Sequence, residues 1–220
     1  MLKIISVKSS YANYFLNKIF CLMKGNNTAN YWDARFKSNW EVCDGRLQTA
    51  LFAVAFVLLE EKLEVSSILD YGCGCGDSLP ILKMKYSKSD LFYYDFSKEA
   101  MAKAKLNYGT IAKPLEMPTD KTFDLVYCSN VIEHVPDAIT FCRSLINLSN
   151  KYVVIQSPYN ELHDDGTIIT SKNKYDEHVR TVTDNIFDDL NSLVEWKIRL
   201  TTVPYAWVRG HQIFFIGTKK

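Results

Sequence analysis

Ile68-Leu69-Asp70-Tyr71-Gly72-Cys73-Gly74-Cys75-Gly76-Asp77 is the stretch on which the fold turns. An apolar, strand-like run ends in an acid, and glycine then recurs at every second position before a helix-like run opens at Ser78. Glycine has no Cβ, so such a loop turns sharply and lets a ligand lie against bare main chain. The spacing separates the possible ligands. A dinucleotide fingerprint, G-x-G-x-x-G, needs glycine at position 77, where this chain has Asp77. The phosphate-loop pattern G-x-x-x-x-G-K-[ST] is absent from the sequence. An acid just ahead of the loop, Asp70, repels a pyrophosphate but accepts hydrogen bonds from an amine.

On both sides of the loop, short β-type runs alternate with helix-type runs, the pattern of an α/β domain with a mostly parallel sheet. Strands are expected near Ser66–Tyr71, Asp90–Asp95, Gly109–Lys113, Phe123–Cys128 and Lys151–Gln156. Helices are expected over Ser78–Tyr86, Lys98–Asn107 and Ala138–Leu148. Ser97 is placed to cap the second helix, and Asp77 or Ser78 to open the first. Pro80 is tolerated in a first turn, whose N–H groups lack helical partners anyway. Upstream, Arg46–Leu63 has the pattern of one long helix. Downstream, Asp184–Leu190 reads as a helix, and Leu193–Val203 with Gln212–Thr218 reads as an antiparallel pair at a sheet edge, joined by Pro204–Gly210. Residues 157–182 form a long insertion with two histidines, and long loops in compact domains are usually lids or binding loops.

Composition narrows the function. The 220 residues are 47% hydrophobic and 23% charged, ordinary globular usage that excludes a disordered or fibrous chain. A formal net charge of +1 argues against a surface built for duplex nucleic acid. The longest apolar run, Leu51 to Leu59, falls well short of the roughly 20 residues of a membrane span. The six cysteines are scattered over strand-, loop- and helix-like positions, which fits buried thiols better than a disulfide framework. Lysines interrupt the apolar residues at the N-terminus, so no signal-peptide core is evident, and a cytoplasmic location is expected.

The glycine loop resembles motif I of the class I S-adenosylmethionine (SAM)-dependent methyltransferases, and the resemblance continues in that family's order. Asp95, in Tyr94-Asp95-Phe96-Ser97, follows Gly76 by 95 − 76 = 19 residues, where such folds place an acid on ribose hydroxyls. Phe123–Asn130 followed by Val131–Asp137 is similar to the fourth strand and its following segment in the small-molecule, ubiquinone-biosynthesis-like branch. Gln212–Thr218 is similar to the family's last strand. The likeness covers residues 46–220 and implies a Rossmann-like, seven-stranded, mostly parallel sheet with a C-terminal antiparallel strand pair and helices on both faces. It implies SAM as cofactor, held by Asp70, Gly72, Cys73, Gly74, Gly76, Asp95, Phe96, Leu115 and Asn130. One position departs from the pattern: Lys113 stands where relatives carry an acid for the adenine amine. Lysine has no acceptor, so the adenine would be read by backbone groups or packed on Leu115.

Methyl transfer from a sulfonium is an in-line displacement, so positioning and exclusion of water supply much of the rate. A hydroxyl acceptor also needs a proton removed, and histidine suits that task at neutral pH. Of the four histidines, His178 and His134 are the catalytic candidates. His178 lies in Glu177-His178-Val179-Arg180, similar to a segment of sugar and polyketide methyltransferases; a helix-entry role is the alternative. His134 follows Glu133 near the expected methyl end; shaping its loop is the alternative. His163, Arg180 and Tyr31 are the candidate acceptor contacts, and Lys172 and Arg209 are further cations for an anionic group. His211 reads as structural. The resemblance to ubiquinone-biosynthesis O-methyltransferases implies acids plus a histidine near Glu133-His134 as metal ligands, but Asn130 stands where a further acid would be wanted and Cys73-x-Cys75 lacks zinc spacing, so no metal site is expected.

The N-terminal residues 1–45, with Tyr11, Tyr14, Phe15, Tyr31, Trp32, Phe36 and Trp40, read as an aromatic lid favouring a sulfonium through cation–π attraction, or as a subunit interface in a homodimer. The run Asn30–Phe36 resembles entries to methyltransferase domains of bacterial surface-glycan enzymes. The expected activity is therefore O-methylation of a small polar metabolite or of a sugar or phosphorylated precursor of a surface glycan, in polysaccharide biosynthesis. An RNA-modifying methyltransferase and a non-catalytic cofactor-binding subunit are the alternatives.

Overall fold

Runs of apolar residues with no polar alternation, such as Phe123–Cys128, suit strands covered on both faces. In the computed structural model, which describes residues 27–38, 40, 44–161, 178–203 and 211–220, they occupy the middle of the sheet. The strands are β1 (Ser67–Tyr71), β2 (Asp90–Tyr94), β3 (Lys113–Pro114), β4 (Phe123–Ser129), β5 (Ser149–Tyr159), β6 (Val194–Thr201) and β7 (His211–Lys219). They form one seven-stranded sheet in the order β3-β2-β1-β4-β5-β7-β6. β1 to β5 are parallel to one another, whereas β7 runs antiparallel to both β5 and β6. The expected C-terminal antiparallel pair is present, with β7 inside the sheet and β6 at its edge.

The helices are α1 (Ala29–Ser38), α2 (Gly45–Leu58), α3 (Leu79–Lys85), α4 (Lys98–Tyr108) and α5 (Ala138–Leu148). They cover both faces. Leu69, Val126 and Ile155 point to a core shared with Phe141, Cys142 and Leu145 of α5. Their neighbours Ile68, Leu125, Tyr127 and Val154 point the other way, against Phe56 of α2, Leu82 of α3 and Ala104 of α4. Each large side chain buried here contributes about 1.5–3 kcal/mol. Ser97 caps α4 by accepting from the Ala100 N–H at 3.2 Å, and Asp137 caps α5 by accepting from Thr140. Ser78 precedes α3 without capping it, because its hydroxyl donates to Asp70 instead.

Three expected elements change. The helix at Arg46–Leu63 ends at Leu58, because Glu60 adopts a left-handed φ of 54° that breaks the helical path. Of the strand expected at Gly109–Lys113 only Lys113–Pro114 pair, since Gly109 and Ile111 are spent in closing α4, bonding back to Lys105 and Tyr108. Asp184–Leu190 is a string of turns ending in a 3-10 turn at Asp188–Leu190, its N–H groups reaching back three residues rather than four. The Pro204–Gly210 connection lies outside the described residues. No described helix is long and apolar enough to cross a membrane, and Cys73, Cys75, Cys128 and Cys142 are buried, disulfide-free thiols.

Candidate active site

Strand order reverses between β1 and β4, and in open parallel sheets ligands bind in the crevice at such a switch point, beyond the carboxyl ends of the strands. The glycine loop leaves β1 there. Gly72 and Cys73 donate their N–H groups to the Tyr94 carbonyl at 2.8 and 3.1 Å, tying the loop to the end of β2. Gly72 has φ +77°, and a Cβ on it would lie 2.4 Å from Val131 Cγ2. Asp95 then crosses the loop: its Oδ2 accepts from Gly74 N–H at 2.9 Å and its Oδ1 from Ser97 N–H at 2.8 Å. Burial pushes the Asp95 carboxyl up to about 6, against the pull of those two N–H groups.

A cavity of about 410 Å³ opens above this loop. Gly72, Cys73, Gly74, Asp95, Phe96 and Asn130 line it, as does the 3-10 turn Ile132–His134 through Glu133 and His134. Three of the expected cofactor residues lie elsewhere. Asp70 is buried behind the loop, bonded by Ser78, and burial raises its carboxyl to about 7. Gly76 is a packing position, where a Cβ would strike Tyr108, Leu79 and Ala104. Leu115 is buried in the core and borders a separate surface hollow with Met101 and Glu116. Lys113, at the departing position, points outward to Asp90 at 3.2 Å.

The aromatic residues Trp32, Phe36 and Trp40 form the opposite wall, in a small cluster with Cys75 and Ala100. α1 is anchored onto α4: Asp33 Oδ1 accepts from Ser97 Oγ at 2.5 Å and Glu99 N–H at 3.2 Å, and Lys103 donates to the Phe36 carbonyl at 2.7 Å. Tyr31 stacks edge-on to Trp32 outside the lining, and Tyr11, Tyr14 and Phe15 lie outside the described residues.

His178 and His134 meet edge-on in the cavity lining, ring centroids 4.8 Å apart, with His134 also edge-on to Trp32 at 5.0 Å. Beside them are two buried acids. Glu133, 1% exposed, accepts from Ser157 Oγ at 2.9 Å, and burial raises its carboxyl to about 7 although His178 pulls it down. Glu161, 2% exposed, holds His178 Nδ1 with both oxygens, at 2.6 and 2.8 Å. Donor atoms of Glu133, His134 and His178 lie within 4.8 Å of one another, a spacing compatible with proton exchange and also with a divalent cation. Arg180 is turned away from the cavity and donates to the Pro136 carbonyl. His163, Lys172 and Arg209 lie outside the described residues. Glu161, Ser157, Phe52, Phe141 and Gln212 are wall or near-wall residues that the sequence does not single out; no local motif marks them.

Residues 44–217 match the family described as methyltransferase domain, most of the chain. The chain belongs to that family. A curated relative, an uncharacterised protein of Methanocaldococcus jannaschii, is 35% identical over 92 residues, and the match spans 40% of this chain and 39% of that protein's length. Among solved structures, the plantazolicin methyltransferase BpumL in complex with SAH superposes with a TM-score of 0.59 at 18% identity, covering 94% of this chain and 100% of that one. An O-methyltransferase family protein from Burkholderia thailandensis superposes with a TM-score of 0.61 at 12% identity, covering 97% of this chain and 71% of that one.

The residues of this methyltransferase domain fit SAM as the donor. Bare main chain at Gly74 faces the cavity, where a Cβ would meet nothing closer than Phe36 at 3.4 Å. The buried Tyr71 hydroxyl and Gln212 Oε1, both from residues on the cavity wall, have no hydrogen-bond partner among the described residues. Buried polar atoms left in this state cost about 1–3 kcal/mol each, which a bound polar ligand relieves.

Proposed function

We propose that this protein transfers the methyl group of SAM to an oxygen of a small polar acceptor, a sugar or phosphorylated precursor of a surface glycan being the favoured class. Gly72, Cys73, Gly74, Asp95, Phe96 and Asn130 would hold the donor, with Asp95 on the ribose. Trp32, Phe36 and Trp40 would act as an aromatic lid that dries the site and faces the sulfonium. When bound, SAM supplies an electrophilic methyl group and departs as the neutral thioether SAH. The protein's task is to orient the acceptor, exclude water and take up the acceptor's proton.

The observation that carries the reading is the pair His134 and His178 on the cavity wall beside the buried Glu133, with the buried Glu161 holding His178 from outside the lining. Such a cluster serves an acceptor whose proton must be removed, a need that alcohols have and neutral amines do not share to the same degree. The near-neutral charge of the chain favours a small acceptor over RNA. The test is calorimetry with SAM and SAH, followed by incubation of a small-metabolite extract with methyl-labelled SAM. Tight binding and label in an ether or ester methyl are expected. Label on nitrogen or carbon, or label in added RNA alone, would refute the assignment.

A further inference from the structure

One ring nitrogen of His178, Nδ1, has a buried carboxylate partner, while the ring itself lines the cavity. Nδ1 sits between both carboxylate oxygens of Glu161, a buried side chain. An ionised carboxylate only accepts, so Nδ1 carries a proton and the lone pair of the neutral ring is placed on Nε2. Backbone contacts hold the two residues in this relation. β5 ends at Tyr159, which bridges to Val182, and Asn160 N–H donates to the Val182 carbonyl at 3.1 Å. Val179 N–H donates to the Glu133 carbonyl at 2.8 Å, pinning the residue after His178 to the turn that follows β4. Glu161 and His178 thus approach from two segments fastened side by side, and the ring stands on the cavity wall with His134 and Glu133.

We infer that Glu161 is a positioning residue that fixes His178 with Nε2 toward the cavity, where it accepts the proton of a hydroxyl acceptor. This rests on the O-methylation reading above and extends it to the division of labour within the site. In the step, the acceptor oxygen gains the methyl carbon and loses its proton to Nε2, while the carbon–sulfur electron pair stays with the departing thioether. The imidazolium so formed donates from Nδ1 to Glu161, whose negative charge stabilises it, and later releases the Nε2 proton to water. An orienting carboxylate of this kind governs both tautomer and charge, and general-base action is typically worth about 10²–10⁴ in rate.

The test begins without any acceptor. Long-range ¹H–¹⁵N NMR of the full chain carrying ¹⁵N-histidine, with His178→Ala used to assign the ring, reports the tautomer directly. An Nδ1–H, bare-Nε2 ring is expected in the wild type, shifting toward Nε2–H in Glu161→Gln. With methyl-labelled SAM and the metabolite extract, Glu161→Gln should lower kcat about 100-fold or more while SAH affinity and KM stay within about threefold. Glu161→Asp should recover part of the rate. Should Glu161→Gln fail to fold, the wild-type tautomer and the Glu161→Asp rate decide the matter. An Nε2–H ring in the wild type overturns the inference, as does undiminished kcat in both variants. So does activity abolished by a chelator and restored by a divalent metal, since Nε2 would then be a ligand. If SAH does not bind, or label enters nitrogen or carbon, the parent reading fails whatever the tautomer; if both succeed and the tautomer is reversed, only the role of Glu161 falls.

Discussion

Gly72→Ala tests whether the loop that identifies the chain is also the element that shapes its cavity. At φ +77° an L-residue is strained by about 1–2 kcal/mol, because its Cβ crowds the neighbouring carbonyl. The added methyl would also sit 2.4 Å from Val131 Cγ2, a separation no real packing sustains. Overpacking of this kind costs about 1–3 kcal/mol. The sum, about 2–5 kcal/mol, corresponds to a fall in Tm of about 4–20 °C for a chain of this size. Val131 leads into the turn that carries Glu133 and His134, so relief by moving Val131 disturbs the cavity wall as well. Thermal unfolding and SAH calorimetry should therefore both respond. Val131→Ala in the same chain removes the clashing methyl groups but not the backbone strain, so the double variant should regain the packing share, about 1–3 kcal/mol. A Gly72→Ala protein within about 0.5 kcal/mol of wild type and with unchanged SAH affinity would refute the reasoning. So would a double variant that recovers nothing.

Asp95→Ala should weaken SAH binding by about 10–100-fold in calorimetry, the worth of a charge-assisted hydrogen bond to ribose; unchanged affinity would remove Asp95 from the donor site. The carboxyls of Asp70 and Asp95 are raised by burial to about 7 and about 6 from an ordinary 3.8, so the folded state prefers them protonated. Their contribution to stability is complete below about pH 4 and is lost as pH rises through 6 and 7, up to about 4 kcal/mol for Asp70. The contribution of these two groups to the Tm of the ligand-free protein should fall between about pH 4 and 7, and Asp70→Asn should flatten that slope; a slope the variant leaves untouched contradicts the argument. Asp33→Ala removes the acceptor that ties α1 to the start of α4 and should cost about 1–2 kcal/mol locally. Amide exchange should accelerate over residues 29–38 and remain slow in β1 and β4; uniform protection would show that α1 is held by other contacts.

The glycine loop, the acid closing β2, the cap at Ser97 and the covered central strands were legible from the chain, because each is written in adjacent residues. Steric freedom at Gly72, the reach of a capping oxygen and the continuous apolar run of β4 act over a few positions. The elements misread were those where backbone geometry outweighs pattern: Glu60 stops α2 through its dihedral angle, and Gly109 to Ile111 are used up in ending α4. Asp70, Gly76 and Leu115 sit within or beside recognisable motifs, yet folding turns them into core and packing positions behind the cavity.

Sequence by itself determined the mostly parallel sheet with its C-terminal antiparallel pair and the bare glycine loop after β1. Only the tertiary structure joined Glu161 to His178, 17 positions later, and set His178 against His134, which in turn meets Trp32. Those contacts depend on β5 and the segment at Val179–Val182 lying side by side, and on α1 docking across α4. Hydrogen bonds and ring contacts act over only a few ångströms, so residues distant along the chain form a site only after the sheet has brought their segments together.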